Sequence, residues 1–407
     1  MAEVRRLPEG FLWATATAAH QVEGGNRNND WWRWEQTPGH IRNGDKSGVA
    51  CDHYHRFRED FAVLREMRNN AHRLSIEWSR VEPREGEFDA AEIRHYREVL
   101  GELRQQGIAP MVTLFHFTSP LWFAARGGWE ARESPDLFVR FARRIAGELG
   151  DQVAMWCTIN EPNIYATQGW LFGNWPPGRR NDIAGVWRVL ANLRRAHEAA
   201  YTALKECTPD VPVGLAHNRY FLVGARRLHP LDQVAAGIGR ALMDRWPAGR
   251  GRWQPTVGVT SDYIGLNHYS GRLLRGARQV NPPGFPVSDF GDAVRPDWMR
   301  RALRDLKRFE KPVYVTESGI ATTDDSWRQR FLLEYLDQVR GAILEDGVDV
   351  RGYFYWTSMD NFEWAHGYTM KFGLIEVDRE TLERRPKPSA QLYGRMAAAN
   401  AIVDQAA

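Results

Sequence analysis

The stretch Met155-Trp-Cys-Thr-Ile-Asn160-Glu161-Pro162-Asn163 is an apolar, β-branched and aromatic run that ends in polar residues and a proline. It reads as a buried strand carrying a carboxylate to its C-terminal tip. A second stretch, Val313-Tyr-Val-Thr-Glu317-Ser318-Gly319, has the same grammar. The two glutamates are far apart in sequence. A fold that brings them together creates a paired-carboxylate site, which is what glycosidic bond cleavage needs.

Working outward, apolar runs alternate with amphipathic stretches along the whole chain. Strands are expected at 11–17, 72–78, 110–115, 155–160, 212–216, 263–267, 313–316 and 352–356. Helical patterns lie between them. One runs over 57–68, with Phe61, Leu64 and Met67 on one face. Another runs over 90–106, with Ile93, Tyr96, Leu100 and Leu103 spaced three to four apart. A third is expected to start at Ser134-Pro135-Asp136, with Ser134 as cap and Pro135 as first helical residue.

Eight strands alternating with helices predict a single α/β domain, a (β/α)8 TIM barrel, rather than an open doubly wound sheet. The domain is taken as 1–407, with its core at about 9–396 and a frayed tail from about residue 397. No glycine-rich phosphate fingerprint follows the first strand, which weakens a nucleotide-binding alternative. The Arg-, Pro- and Gly-rich segment 218–261 is expected to be a helix plus surface loops.

Composition narrows the function classes. The chain has 407 residues, 43% of them hydrophobic, and a net charge of +3. Its basic residues are dispersed, so no nucleic-acid or membrane patch is expected. Cys51, Cys157 and Cys207 lack metal-ligand spacing, and an odd, scattered set fits a reducing compartment. With no apolar leader or spanning stretch, the expected location is cytoplasmic. The 17 tryptophans are the unusual feature. Trp faces can stack on sugar rings, but most are expected in the core or in structural loops.

In such a barrel the active site lies where strand C-termini meet their loops. Gln21, Arg73, His116, Asn160, Glu161, Tyr269, Glu317 and Trp356 all fall at or near strand ends. The segments Thr158-Ile-Asn-Glu-Pro162, Thr316-Glu317-Ser-Gly319 and Asp360-Asn-Phe-Glu363-Trp364, in this order and spacing, make the chain resemble glycoside hydrolase family 1, the β-glucosidase family. The resemblance runs from Phe11-Leu-Trp13 to Phe372-Gly-Leu-Ile-Glu-Val-Asp378.

The resemblance implies retaining hydrolysis of terminal β-linked sugars, no cofactor and no metal. It assigns Glu317 as nucleophile and Glu161 as acid/base, with Arg73 and Tyr269 beside the nucleophile. It assigns Gln21, His116 and Glu363 to sugar hydroxyls, Asn160 to the 2-hydroxyl, Trp356 to the platform under the ring and Trp364 to a side wall. Asn163, Trp122, Trp170 and Trp175 are candidates for the leaving-group side. Ser318, Phe117 and His268 depart from the common family residues, which bears on sugar preference and rate.

The physics agrees with this division. A retaining pair needs one ionised and one protonated carboxyl, about 5–5.5 Å apart, and charge on one raises the pKa of the other. The expected activity is that of an exo-acting β-glucosidase, with β-galactosides and β-fucosides as further substrates. The expected partner is a small β-glycoside or short oligosaccharide; the oligomeric state is open. The alternatives are a 6-phospho-β-glycosidase, which Glu363 disfavours by repelling phosphate, a non-catalytic sugar-binding barrel, and an endo-acting glycanase.

Overall fold

The computed structural model describes residues 5–243, 260–276 and 278–403. Eight parallel strands close into a barrel: β1 (Leu12–Ala16), β2 (Ala71–Ser75), β3 (Ala109–Phe115), β4 (Met155–Asn160), β5 (Val213–Asn218), β6 (Tyr263–Asn267), β7 (Val313–Ser318) and β8 (Val350–Trp356). Each pairs with its sequence neighbours, and β8 closes on β1. Helices His53–Glu66, Ala90–Gln105, Ser134–Leu149, Ile183–Cys207, Pro296–Leu306, Asp325–Leu344 and Pro388–Ala399 lie between or after the strands. This is the (β/α)8 architecture expected from the alternation.

Two apolar layers follow from strand periodicity. The barrel interior holds Ala14, Ala16, Ala71, Met111, Cys157, Ala216, Tyr263, Phe354 and Trp356. Small residues on some strands leave room for large ones on others. The outer layer, between strands and helices, holds Trp156, Val213, Ile264, Val313, Val315 and the buried faces of the helices. Cys157 is therefore a core residue, as its place in an apolar strand suggested.

Several boundaries differ from expectation. The second strand stops at Ser75 because Glu77 caps a short helix, Trp78–Val81, accepting from the Ser79 backbone N–H at 3.4 Å and from its Oγ at 2.6 Å. The third helix begins at Ser134 itself; Glu133 occupies the cap position and no side-chain cap forms. The expected frayed tail is partly ordered: Ala401–Ile402 pairs antiparallel with Arg5–Arg6. Segment 218–261 holds a strand, Phe221–Gly224, before its helix, Pro230–Met243; residues 244–259 lie outside the described residues. That strand joins Gly271–Arg275 and Arg278–Val280 in a small sheet beside the barrel. Among the described residues no helix is long and apolar enough to cross a membrane.

Candidate active site

Both carboxylate strands carry an irregularity just before their glutamate. On β4, Cys157 pairs with Gly214 and Asn160 with Ala216, so three residues advance against two. On β7, Val315 pairs with Leu266 and Glu317 with Asn267, two against one. A bulge of this kind shifts the alternation by one residue. Ile159 therefore joins the outer layer while Asn160 reaches Arg73 in the interior. Val315 likewise packs outward, yet both Thr316 and Glu317 make contacts across the site. Glu161 then sits at φ 42°, in the left-handed region, at the start of helix Pro162–Ala166.

The two glutamates share a cavity of about 390 Å³ at the C-terminal mouth of the barrel. Tyr269, His116, Trp356, Glu363 and Trp364 also line it. Arg73, Asn160 and Gln21 are fully buried beside it, each within hydrogen-bond distance of a lining residue: Arg73 of Glu317, Asn160 of His116 and Gln21 of Glu363. Gly319 lies in the lining too, and it is required there: a Cβ would come within 1.8 Å of the Trp356 carbonyl oxygen.

Glu317 accepts from Arg73 Nη1 at 2.5 Å on one oxygen and from Tyr269 OH at 2.8 Å on the other. Arg73 is itself fixed by Thr113 Oγ1 at 2.9 Å and Asn160 Oδ1 at 2.7 Å. Glu161 accepts from two amides, Asn218 Nδ2 and Asn267 Nδ2, both at 2.8 Å and both on the same oxygen. Asn267 also donates to Asn160 Oδ1 at 3.1 Å and accepts from Thr316 Oγ1 at 2.7 Å. One amide thus ties β4, β6 and β7 together.

The electrostatics separate the pair. Burial, then the negative charge of Glu317, pushes Glu161 up to about 8. Burial raises Glu317 as well, but there the Arg73 guanidinium and the Tyr269 hydroxyl pull the other way. Glu363 is also pushed up to about 8, by burial first and then by Glu317. Both causes favour the protonated form of Glu363, which can donate one hydrogen bond as well as accept.

Gln21 Nε2 donates to Glu363 Oε2 at 3.1 Å and to the Phe362 carbonyl at 2.9 Å. The His116 ring is near-parallel to Trp356 and Trp364, with centroids 5.8 and 6.2 Å away. Its Nε2 is 3.2 Å from Asn160 Nδ2, and burial followed by Arg73 keeps it neutral. Trp364 is held by stacking on His20 and by contact with Trp31 at 4.7 Å.

Of the leaving-group candidates, Trp175 lines the cavity and the other three do not. Trp170 is buried in the outer core, Trp122 donates to the Glu82 carbonyl at 2.8 Å, and Asn163 donates to the Asn218 carbonyl at 2.9 Å. Phe117 lines the cavity against Trp175 and Trp364. His268 is turned away, its Nδ1 2.7 Å from the Arg219 carbonyl, and Ser318 is fully buried. Asn218 and Asn267 were missed, although each ends a barrel strand and the rule that singled out Asn160 would have found them. Among the described residues no group of three or more His, Cys, Asp or Glu could hold a metal ion.

Comparison with known proteins places relatives around this geometry. The model of glycosyl hydrolase family 1 matches residues 3–248 and 256–402. Beta-glucosidase A of Thermotoga maritima is 32% identical, over 98% of this chain and 100% of its own length. Among solved structures, a beta-glycosidase from Pyrococcus horikoshii has a TM-score of 0.90 at 37% identity, covering 99% of this chain and 97% of its own. A family 1 β-glucosidase from Thermotoga maritima has a TM-score of 0.93 at 31% identity, covering 98% and 100%. The Thermotoga maritima enzyme has been solved in complex with glucoimidazole and with galacto-hydroximolactam.

Proposed function

The chain belongs to glycosyl hydrolase family 1 and is a glycoside hydrolase, and from that premise we propose that it releases terminal, non-reducing β-D-glucosyl residues by double displacement. The observation that carries this reading is the unequal environment of the paired glutamates. Glu317 is held by a guanidinium and a phenol, Glu161 only by neutral amides. The charge therefore belongs on Glu317 and the proton on Glu161.

Glu317 attacks the anomeric carbon while Glu161 gives its proton to the departing oxygen. The bond to the leaving group breaks and a glycosyl ester on Glu317 forms. That ester carries no negative charge, so one of the two causes that raise Glu161 is gone. Glu161 becomes the stronger acid of the cycle's second half and stays ionised. It then takes the proton of an attacking water, and Glu317 leaves as carboxylate.

Glu363 with Gln21, His116, and Trp356 with Trp364 are assigned to the sugar, and Asn160 to its 2-hydroxyl. β-Galactosides and β-fucosides are proposed as further substrates, supported by the galacto-configured ligand of the Thermotoga maritima relative. A 6-phosphorylated sugar is disfavoured: among the described lining residues the cation is Arg272, and it is paired with Asp292. We take the chain as one catalytic domain and place it in the cytoplasm, a reading supported by its free cysteines.

The test is the stereochemistry of rescue. Glu317→Ala is expected to lose at least four orders of magnitude in kcat. Azide should partly restore turnover and give an α-glycosyl azide, seen by NMR. A β-azide would mean that the two glutamates have been assigned the wrong way round.

A further inference from the structure

The loop that leaves β8 carries Glu363 and Trp364 on its outward limb and Phe372 on its return, and all three line the cavity. Backbone bonds close its base: Leu374 N–H donates to the Thr357 carbonyl at 3.1 Å, and Ile375 N–H to that of Ser358 at 2.8 Å. Higher up, the two limbs come too close for a side chain. A Cβ on Gly373 would stand 2.1 Å from the backbone nitrogen of Asp360.

Asp360 and Lys387 lock this close approach from behind the cavity wall. Asp360 Oδ1 accepts from the Gly373 N–H at 2.8 Å, and its Oδ2 accepts from Lys387 Nζ at 2.8 Å. Lys387 Nζ also donates to the Gly373 carbonyl at 2.8 Å. One ammonium thus joins both limbs, reaching in from the position that precedes helix Pro388–Ala399. The two side chains are 14% and 5% exposed, so the pair is not a solvated surface bridge. The nearby Arg328 is held by Asp325 at 2.6 Å and by the Lys371 carbonyl at 2.8 Å. The hydrogen bond to Asp360 Oδ2 comes from Lys387.

The stretch above this knot is sensitive to small shifts. Gln21 Nε2 lies 3.1 Å from Asn361 Oδ1, 2.9 Å from the Phe362 carbonyl and 3.1 Å from Glu363 Oε2. Two amide protons serve three acceptors on consecutive residues, so a displacement of a few tenths of an ångström changes which of them is bonded. Glu363 is the last of the three.

We propose that Lys387, acting through Asp360, is a positioning residue for the sugar half of the site: it holds the loop after β8 so that Glu363 keeps its aim. The inference rests on the assignment of Glu363 to the sugar given above. A lysine that only fastened the final helix would affect stability and leave the folded enzyme's activity alone.

The test is a double-mutant cycle. Lys387→Met removes the ammonium at similar length and leaves Asp360 buried without its cation. kcat/KM for 4-nitrophenyl β-D-glucoside, corrected for the folded fraction by a urea titration, is expected to fall about tenfold. Made in Glu363→Ala, the same substitution should cost about threefold or less, because the group it positions is already gone. Asp360→Asn/Lys387→Met leaves no buried charge unpaired and keeps an acceptor for the Gly373 N–H. It carries the comparison where Lys387→Met alone does not fold. An equal fall in both backgrounds, or no fall in the parent, would overturn the positioning role and leave the glycosidase reading standing. No turnover by the unsubstituted chain would overturn the glycosidase reading and this proposal together.

Discussion

Asn267 spends both of its amide protons inside the site, one on Glu161 and one on Asn160, while Thr316 fixes its carbonyl oxygen. Asn218 adds a second N–H to the same oxygen of Glu161. An oxygen that accepts two N–H bonds is a poor place for a proton, so the acid proton belongs on the other oxygen. Both amides also favour the ionised form of Glu161. The charged neighbours that face it are Glu317 and Arg73, with Glu363 farther off.

The pH dependence follows with its sign. The proposed mechanism needs Glu317 ionised and Glu161 protonated, so kcat/KM is expected to fall in acid and to fall again as pH rises through about 8. Asn267→Ala removes a donor to ionised Glu161. The basic limb should move upward while kcat drops by about one to two orders of magnitude from lost orientation. Glu363 titrates in the same window but does not touch Asn267, and the effect of Asn267 on Glu317 bears on the acid limb, so a shift of the basic limb reports on Glu161. A basic limb that stayed put or moved down would contradict the role given to Asn267.

At the scale of elements, the ends of β7 and β8 are pressed together. Gly319, two residues past Glu317, packs against the carbonyl of Trp356, the last residue of β8. Gly319→Ala would drive a methyl into that oxygen and push the two strand ends apart. Since one end carries Glu317 and the other Trp356, the variant should lose at least about a hundredfold in kcat/KM and about 1–3 kcal/mol of stability. Steady-state kinetics and a denaturant titration check both. Near-normal activity would mean that the backbone absorbs the methyl without moving the site.

At the scale of the molecule, Asn400 fastens the first and last described segments beside the pairing of Arg5–Arg6 with Ala401–Ile402. Asn400 caps helix Pro388–Ala399 at φ 45° and gives its side-chain N–H groups to the carbonyls of Leu7 and Pro8, at 3.1 and 2.9 Å. Its side-chain oxygen accepts from Trp13 Nε1 at 2.9 Å. Trp13 lies on β1, which β8 must meet to close the barrel. Asn400→Ala loses these bonds and places alanine in a left-handed conformation, so a cost of about 2–3 kcal/mol is expected. The urea midpoint should fall while kcat/KM at 25 °C is retained. An unchanged midpoint would show that the helix and the Arg5–Arg6 pairing with Ala401–Ile402 hold these segments without the Asn400 side chain.

The sequence by itself determined the barrel. Each strand is a short apolar run bounded by breakers, and each helix has one apolar face, so local periodicity carries the architecture. That Glu161 and Glu317 stand at strand tips and line one cavity was legible, because a barrel gathers its strand C-termini at one face. The tertiary structure decided how those tips are aimed. Plain alternation would turn Asn160 and Glu317 toward the helices; the register shifts on β4 and β7 turn them inward. Such a shift is a property of two strands paired at unequal advance, and no single strand's sequence states it. The same holds for the bridging amide of Asn267 and for the side sheet that walls part of the cavity. Both depend on which segments meet, and only the closed fold brings them into contact.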